Sequence, residues 1–353
     1  MEKIMLIGAS GVLGKLVCDE LLRIFKNPIN LIVTDYKTER GRKLASSFNK
    51  DVQFQYLDVN NERNIRETVK NVDIVVVVLK QITPYVQKIC IENKILCIDV
   101  TPFYNFVSKV NELNGSAKKN NVGSVVMSGF FPGLSGLMVK EAVSSFQEVT
   151  EVNVGLLQNT NAKAGVSGII DMLKIISQPL KFQNKTVSGF TRKRKMFFLG
   201  PYKEKEVRLI KHSEAILVNN KLATKPINYW TSWNSDIFNK QVSLLKKIGF
   251  IGILHKVNNK LLSKVVKHNP NKNEDAFLTV EVKGIVDNKT KIKIVSLSTF
   301  SDYHTTAMVT AALAKIAFQK SVKGIVCPFE ITSLDELLTV INCPNLAIKK
   351  FEN

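Results

Sequence analysis

The strongest constraint on the fold lies in the first thirty-five residues. Ile4–Ile7 is a short, wholly apolar run, the pattern of a strand buried on both faces. Gly8, Gly11 and Gly14 follow at once, and apolar residues then recur at helical spacing from Val12 to Phe25. Pro28 ends that helix, and a second apolar strand closes on Asp35. Each part of this strand–turn–helix–strand–acid order has a mechanical reason. Gly8 lets the chain leave the strand in a tight turn, Gly11 lets backbone approach a pyrophosphate, and Gly14 lets the helix sit close on the strand. The helix N-terminus offers free N–H groups and the positive end of its dipole. Asp35 lies 21 residues after Gly14, near the roughly 20 expected of an acid that holds an adenosine ribose. The expected nucleotide set is therefore Gly8, Ser10, Gly11, Val12, Leu13 and Gly14 in the turn, Asp35, Tyr36 and Lys37 after the second strand, and Asp58 after the third.

Beyond Asp35, strands and helices alternate. Strands are expected at 52–59, 73–79, 95–98 and 124–127, with helices at 38–48, 62–69, 83–93 and 106–120. Alternation of this kind implies a doubly wound, Rossmann-type parallel sheet of six strands over residues 1–128. Gly129-Phe-Phe-Pro-Gly133 follows the sixth strand, where ligands of such sheets bind, so Gly129, Pro132 and Gly133 are expected to wall the nicotinamide end. From Glu148 the pattern changes to longer strands read as antiparallel, among them 276–286 and 291–299 joined by a short hairpin, with a helical stretch over 234–266. Residues 129–300 thus read as a second, α+β domain, and 353 residues suit two domains.

The chain carries 50 Lys and Arg against 30 Asp and Glu, a net charge of +20. The basic residues are dispersed. Their densest group, Arg192–Lys195, lies in a strand-like stretch, which argues against nucleic acid and fits an anionic cofactor or substrate, or simply solubility. No apolar run approaches the length of a membrane span, and the first strand begins too early for a signal peptide to precede it. Five scattered cysteines without a CxxC pair read as reduced, buried thiols suited to the cytoplasm, and the four histidines sit at no ligand spacing with them, so no metal is expected.

The ordered set of motifs resembles the saccharopine dehydrogenase family over nearly the whole chain. The motifs are Gly8-Ala-Ser-Gly-Val-Leu-Gly14, Pro84 ahead of Ile98-Asp99, Gly129–Gly133, Ala164-Gly165, Asp302-Tyr-His-Thr-Thr-Ala307 and Gly324–Glu330. The resemblance implies a nucleotide-binding domain interrupted by an α+β domain for substrate binding and dimerisation. It implies that a C-terminal segment, from about 301 to 353, returns to the first domain. It further implies NAD(P)-dependent hydride transfer to or from a secondary amine or imine joining amino-acid units, a small amino-acid or keto-acid substrate, and a homodimer. Asp35 leans the cofactor towards NAD, whereas Lys37, Arg40 and Arg42 offer charge for the extra phosphate of NADP.

Hydride transfer to an imine needs a proton donor or acceptor and cations for carboxylates. Lys80 and Asp99 end the fourth and fifth strands, and His304 opens the helix that follows the second domain. These three are the catalytic candidates. Asn159, Asn161 and Lys163 form a polar loop suited to substrate, and Trp230 and Trp233 read as core or interface. No tyrosine is followed four residues later by lysine, which excludes the short-chain dehydrogenase mechanism. The absence of an unambiguous acid–base pair leaves a second reading open, a protein that senses the dinucleotide without turning it over.

Overall fold

The structure, a computed structural model, describes residues 2–26, 28–48, 52–222, 227–249 and 268–353. It divides into two compact units, one of Met1–Leu137 and His304–Asn342, the other of Met138–Tyr303 and Cys343–Asn353.

The first unit is a parallel sheet with helices. Its elements run β1 (Lys3–Ile7), α1 (Val12–Ile24), β2 (Asn30–Asp35), α2 (Thr38–Ala45), β3 (Val52–Tyr56), α3 (Glu62–Thr68), β4 (Ile74–Val77), α4 (Tyr85–Glu92), β5 (Leu96–Asp99), α5 (Tyr104–Asn111), α6 (Asn114–Lys119) and β6 (Gly123–Val125). The sheet order is β15-β6-β5-β4-β1-β2-β3, with β15 at Gly324–Val326. This is the doubly wound order with a seventh strand added at the β6 edge. Ile4, Met5, Leu6 and Ile7 are fully buried because β1 is central: Ile4 pairs with Leu31 on one side and Ile74 on the other. Strand order reverses between β1 and β4, so the carboxyl ends of these two strands frame the crevice where such sheets take ligands.

The helix expected over 106–120 is two helices, α5 and α6, and the third strand stops at Tyr56 rather than Val59. The long helix α11 (Asp302–Gln319), the short α12 (Pro328–Ile331) and α13 (Leu334–Ile341) complete this unit. In α11, Thr305 and every residue from Ala307 to Ala314 are buried, and six of those nine are alanine or threonine. Such small side chains let neighbouring backbone approach closely.

The second unit is built on α7 (Leu134–Val143), β7 (Glu148–Gln158), α8 (Val166–Ser177), β8 (Pro179–Phe182), β9 (Lys185–Ser188), β10 (Lys193–Phe198), β11 (Lys203–Ile210), α9 (Glu214–Leu222), β12 (Ile227–Trp233), α10 (Asp236–Lys247), β13 (Ala276–Val286), β14 (Lys289–Thr299) and β16 (Leu346–Glu352). Helix α7 begins in the first unit and continues into the second. The seven-stranded sheet has the order β10-β11-β12-β7-β13-β14-β16. It is mixed, not antiparallel throughout: β12 runs parallel to β7, with Tyr229 opposite Val154. The β13–β14 hairpin turns on Asp287 and Asn288, both at positive φ, the geometry of a type I′ turn. Strand β10 reaches over the sheet, where Arg194 Nη2 donates to Glu281 Oε2 at 2.6 Å and Leu199 N–H to Ser296 Oγ at 2.9 Å. The core beneath it holds Leu157, Met196, Phe198, Leu209, Trp230 and Phe277, capped by Leu180, Phe182 and Val187 of the β8–β9 hairpin. A Cβ on Gly155 would lie 2.8 Å from Met196 Sδ, so only glycine admits that methionine.

The helical stretch expected over 234–266 is found at Asp236–Lys247, and residues 250–267, with His255, lie outside the described residues. Among the described residues, no helix is long and apolar enough to cross a membrane. All five cysteines are free, four of them buried.

Candidate functional site

The glycine turn sits at the carboxyl end of β1. Gly8 adopts φ +91° and lies against the chain leaving β4, where a Cβ would meet Leu79 Cβ at 3.1 Å. Gly11 N–H donates to Gly8 O at 3.1 Å and closes the turn. A Cβ on Gly14 would fall 2.2 Å from Gly8 O and 2.6 Å from Ala9 O, so this helix can approach its strand only with glycine there. Gly11 caps α1 without a side-chain hydrogen bond, and the first N–H groups of a helix have no acceptor within it. Ser10 Oγ is buried and faces the Asp35 carboxylate without reaching hydrogen-bond geometry. A buried hydroxyl with no partner and a row of open N–H groups fit the pyrophosphate of a dinucleotide. Val12 and Leu13 open α1 directly after this turn.

At the end of β2, Asp35 is buried, 6% exposed. Arg40 grips it with both prongs, Nε to Oδ2 at 2.6 Å and Nη2 to Oδ1 at 2.7 Å, while Lys37 N–H donates to Oδ1 at 2.8 Å. Burial pushes the carboxyl up, but the hydrogen bonds from Arg40 and from Lys37 N–H outweigh it and hold its pKa below the usual value. Tyr36 stands 58% exposed beside them, with the Arg40 guanidinium 5.3 Å and the Lys37 ammonium 5.7 Å from its ring centroid. Asp35, Tyr36, Lys37 and Arg40 thus make one cationic corner at the edge of the crevice. Asp58 serves the local chain instead. Its N–H donates to Asn64 Oδ1 at 2.8 Å, and its Oδ1 accepts from Asn60 N–H at 3.0 Å.

Asp99 ends β5 and is 1% exposed. Gln81 Nε2 and Gln87 Nε2 donate to its Oδ2 at 2.9 and 2.6 Å, and Thr101 N–H to its Oδ1 at 2.6 Å. Burial dominates and raises its pKa to about 6, although these donors pull the other way. Gln81 Oε1, Gln87 Oε1, Thr101 Oγ1 and Ser128 Oγ are buried without partners. Ser128 N–H donates to the main-chain O of Asp99 at 3.0 Å, which fixes the 128–133 loop to the end of β5. The two glutamines escaped sequence analysis, although Gln87 is a buried amide amid the buried Val86, Ile89, Cys90 and Ile91 of α4, which is a readable signal.

The remaining candidates are dispersed. Lys80 is exposed, its ammonium 4.6 Å from the Phe103 ring centroid. The 128–133 loop folds on itself, with Gly129 N–H donating to Pro132 O at 3.0 Å. It docks on α11, where Thr310 Oγ1 donates to Ser128 O at 2.9 Å and a Cβ on Gly129 would meet Thr306. Gly133 takes φ +122° with Gly129 O and Met127 O crowding its missing Cβ. His304 points at α1, its Nε2 2.8 Å from Glu20 Oε1. Glu20 also receives Arg23 Nε, whose Nη2 donates to Ile341 O at the end of α13. Through Glu20 and Arg23, α1 is thus tied to both α11 and α13. In the second unit, Asn161 Nδ2 donates to Asn269 O and Lys272 O at 3.0 and 2.9 Å, Lys163 N–H to Glu274 Oε2 at 2.8 Å, and Asn159 Oδ1 accepts from Asn161 N–H. Trp230 is core and Trp233 borders it.

A glycine turn, a strand-end acid and a buried carboxyl at the carboxyl ends of one doubly wound parallel sheet are the setting in which such sheets bind dinucleotides. Residues 4–125 match the family model of the saccharopine dehydrogenase NADP binding domain. The fold agrees along the full length. Apo saccharopine dehydrogenase (L-Glu forming) from Saccharomyces cerevisiae superposes with a TM-score of 0.74, 14% identity and 100% of both chains covered. DAP dehydrogenase of C. glutamicum in complex with DAP gives 0.51 at 11% identity, over 96% of this chain and 98% of that one. An engineered D-amino acid dehydrogenase bound to NADP+ gives 0.50 at 12%, over 97% and 96%. No curated protein sequence matches.

Proposed function

We propose that the protein is an NADP(H)-dependent oxidoreductase that transfers hydride to or from an imine or secondary amine derived from amino acids, and that it works as a homodimer. The observation that carries the cofactor half is the Asp35–Arg40 pair. A free Asp35 would accept both hydroxyls of an NAD ribose and repel a 2′-phosphate. With both its oxygens held by Arg40 and Lys37 N–H, Asp35 is neutralised, and Arg40 and Lys37 present their charge at the same corner. A 2′-phosphate gains charge-assisted hydrogen bonds there without breaking the pair, whereas an NAD ribose must displace Arg40. This reverses the lean to NAD that Asp35 alone suggests.

The bound dinucleotide supplies the hydride. This chain's residues bind and orient it: the N–H groups of the glycine turn and Ser10 Oγ take the pyrophosphate, and the Asp35 corner takes the ribose end. Asp99, with a pKa of about 6 and amide donors that can turn to either protonation state, is the group of this unit suited to hold or release a proton near neutrality. The amine substrate class is supported by the saccharopine and DAP dehydrogenases whose fold this chain shares.

The test is NADPH oxidation by the purified chain with an α-amino acid and an aldehyde or keto acid supplied together, across pH 6–9. Turnover that needs both the amine and the carbonyl partner supports the proposal. Tight NADPH binding without turnover in any pairing contradicts it and favours the dinucleotide sensor.

A further inference from the structure

Four of the ten large apolar side chains that stand exposed among the described residues belong to one element, α10 with its C-cap Ile248. Ile237 is 71% exposed, Leu244 61% and Ile248 66%, and Phe238 is the fourth. Leu244 and Ile248 lie seven and eleven places after Ile237. At about 3.6 residues per turn, the three stand within about 20° of one line along the helix. Lys240 and Lys247, both exposed, fall about 60–80° to one side of that line, and Phe238 and the half-buried Leu245 fall to the other.

The opposite side of α10 fixes this orientation. Val242 and Asn239 are buried. Asn239 Oδ1 accepts from Trp233 N–H at 2.9 Å, and its Nδ2 donates to Trp233 O at 2.8 Å. Phe238 packs edge-on against the Trp233 ring at 5.2 Å. Towards the other end, Lys246 Nζ donates to Ser188 Oγ at 2.8 Å and to Gly189 O. The helix cannot roll its apolar line inward without breaking these contacts.

Charge on the outer face has one sign. Asp236, the sole acid of α10, is paired with Lys205 at 3.0 Å. In the sequence no Asp or Glu occurs between Asp236 and Glu274, a stretch with eight lysines. An aliphatic line bordered by lysines matches the boundary layer of a bilayer: branched side chains enter the acyl region, and lysine stems reach back to lipid phosphates. A second copy fits less well. A two-fold contact sets this face against itself, lysine towards lysine, with the helix's carboxylate already engaged. A nucleic acid would hold the aliphatic line against phosphates.

We infer that α10 is a membrane-surface anchor: the line of Ile237, Leu244 and Ile248, with Lys240 and Lys247 beside it, docks the second unit on an anionic lipid bilayer without crossing it. So short an apolar line gives reversible attachment, with the lysines as its necessary second signal.

The experiment is co-sedimentation of the full chain with vesicles of phosphatidylcholine alone and of phosphatidylcholine with phosphatidylserine, at low and moderate salt, with light scattering for oligomeric state and NADPH titration alongside. Wild type is expected to bind the phosphatidylserine vesicles saturably, at least tenfold more tightly than the neutral ones, and to weaken as salt rises. Lys240→Gln with Lys247→Gln is expected to weaken binding about 25-fold, from about fivefold per lysine at the surface. Ile237→Ser with Leu244→Ser is expected to weaken it at least tenfold. Neither pair is expected to change the thermal midpoint or NADPH affinity, because these side chains face solvent; should the serine variant melt early, the lysine pair decides. Equal binding to neutral vesicles, or binding that survives in both variants, overturns the inference. A wild type that ignores vesicles overturns it too: a dimer that dissociates on Ile237→Ser with Leu244→Ser then gives the face to a second copy, and an unchanged mass gives it to a different protein. Failure to bind NADPH bears on the oxidoreductase reading alone.

Discussion

Replacing Asp99 by asparagine isolates the energetics of the buried carboxyl. In the folded chain its pKa is about 6, against 3.8 for an ordinary aspartate. A carboxyl with a raised folded-state pKa binds its proton more tightly when folded, so the folded state is favoured at low pH. That advantage is complete below about pH 4, fades as the pH rises through the window from about 4 to 6, and is absent above it. A shift of about two units corresponds to about 3 kcal/mol between the ends of that window. Asparagine keeps the shape and does not titrate. Gln81 and Gln87 can rotate their amides to accept from it, because the Oε1 atom of each is buried without a partner. Relative to wild type, Asp99→Asn is therefore expected to be destabilised or neutral at pH 4 and to gain about 3 kcal/mol by pH 7, several degrees in Tm. Asp302 has a similar pKa of about 6, but it is present in both proteins and cancels in the difference. The assay is differential scanning calorimetry of the two proteins at half-unit steps from pH 4 to 8. A difference that stays flat with pH, or that moves against the variant as pH rises, refutes the reasoning and means that the amide and backbone donors hold Asp99 ionised throughout.

Three further outcomes follow from the geometry. Arg40→Ala removes the two-pronged partner of Asp35 and is expected to weaken NADPH about tenfold to a hundredfold, the worth of charge-assisted hydrogen bonds, while NADH binding holds or improves; equal losses for both cofactors in fluorescence titrations contradict the corner's role. Gly14→Ala places a methyl 2.2 Å from Gly8 O, forces backbone apart at about 1–3 kcal/mol, and is expected to lower the melting temperature and NADPH affinity together; an unchanged melt and affinity would show that the turn yields freely. His304→Ala frees Glu20, which is 4% exposed, and is expected to cost about 1–2 kcal/mol of stability with kcat and its pH profile unaltered; lost turnover with an unchanged melt would return His304 to the chemistry.

The parallel sheet was legible because each of its strands is a short apolar run between turn residues, and the central position of 4–7 and 73–79 follows from their lack of polar positions. The glycine turn was legible for the same local reason. What escaped depends on distance in sequence. Strand β16 is alternating and Lys-rich, and nothing in it announces that Leu297 will lie opposite Ile348. The parallel pairing of β12 with β7 joins segments some seventy residues apart. The site divides along the same line. Asp35 was visible by spacing, but its capture by Arg40 depends on the first turn of α2 folding back. Asp99 was visible at a strand end, but its raised pKa depends on complete burial under α4.

Cofactor choice is the most direct readout of the Asp35–Arg40 corner. Titrating the full chain with NADPH and NADH, followed by nicotinamide fluorescence at low and moderate salt, is predicted to give saturable NADPH binding at least tenfold tighter than NADH, with the preference narrowing as salt screens Arg40 and Lys37. Binding of neither cofactor, or NADH bound more tightly than NADPH, would contradict it.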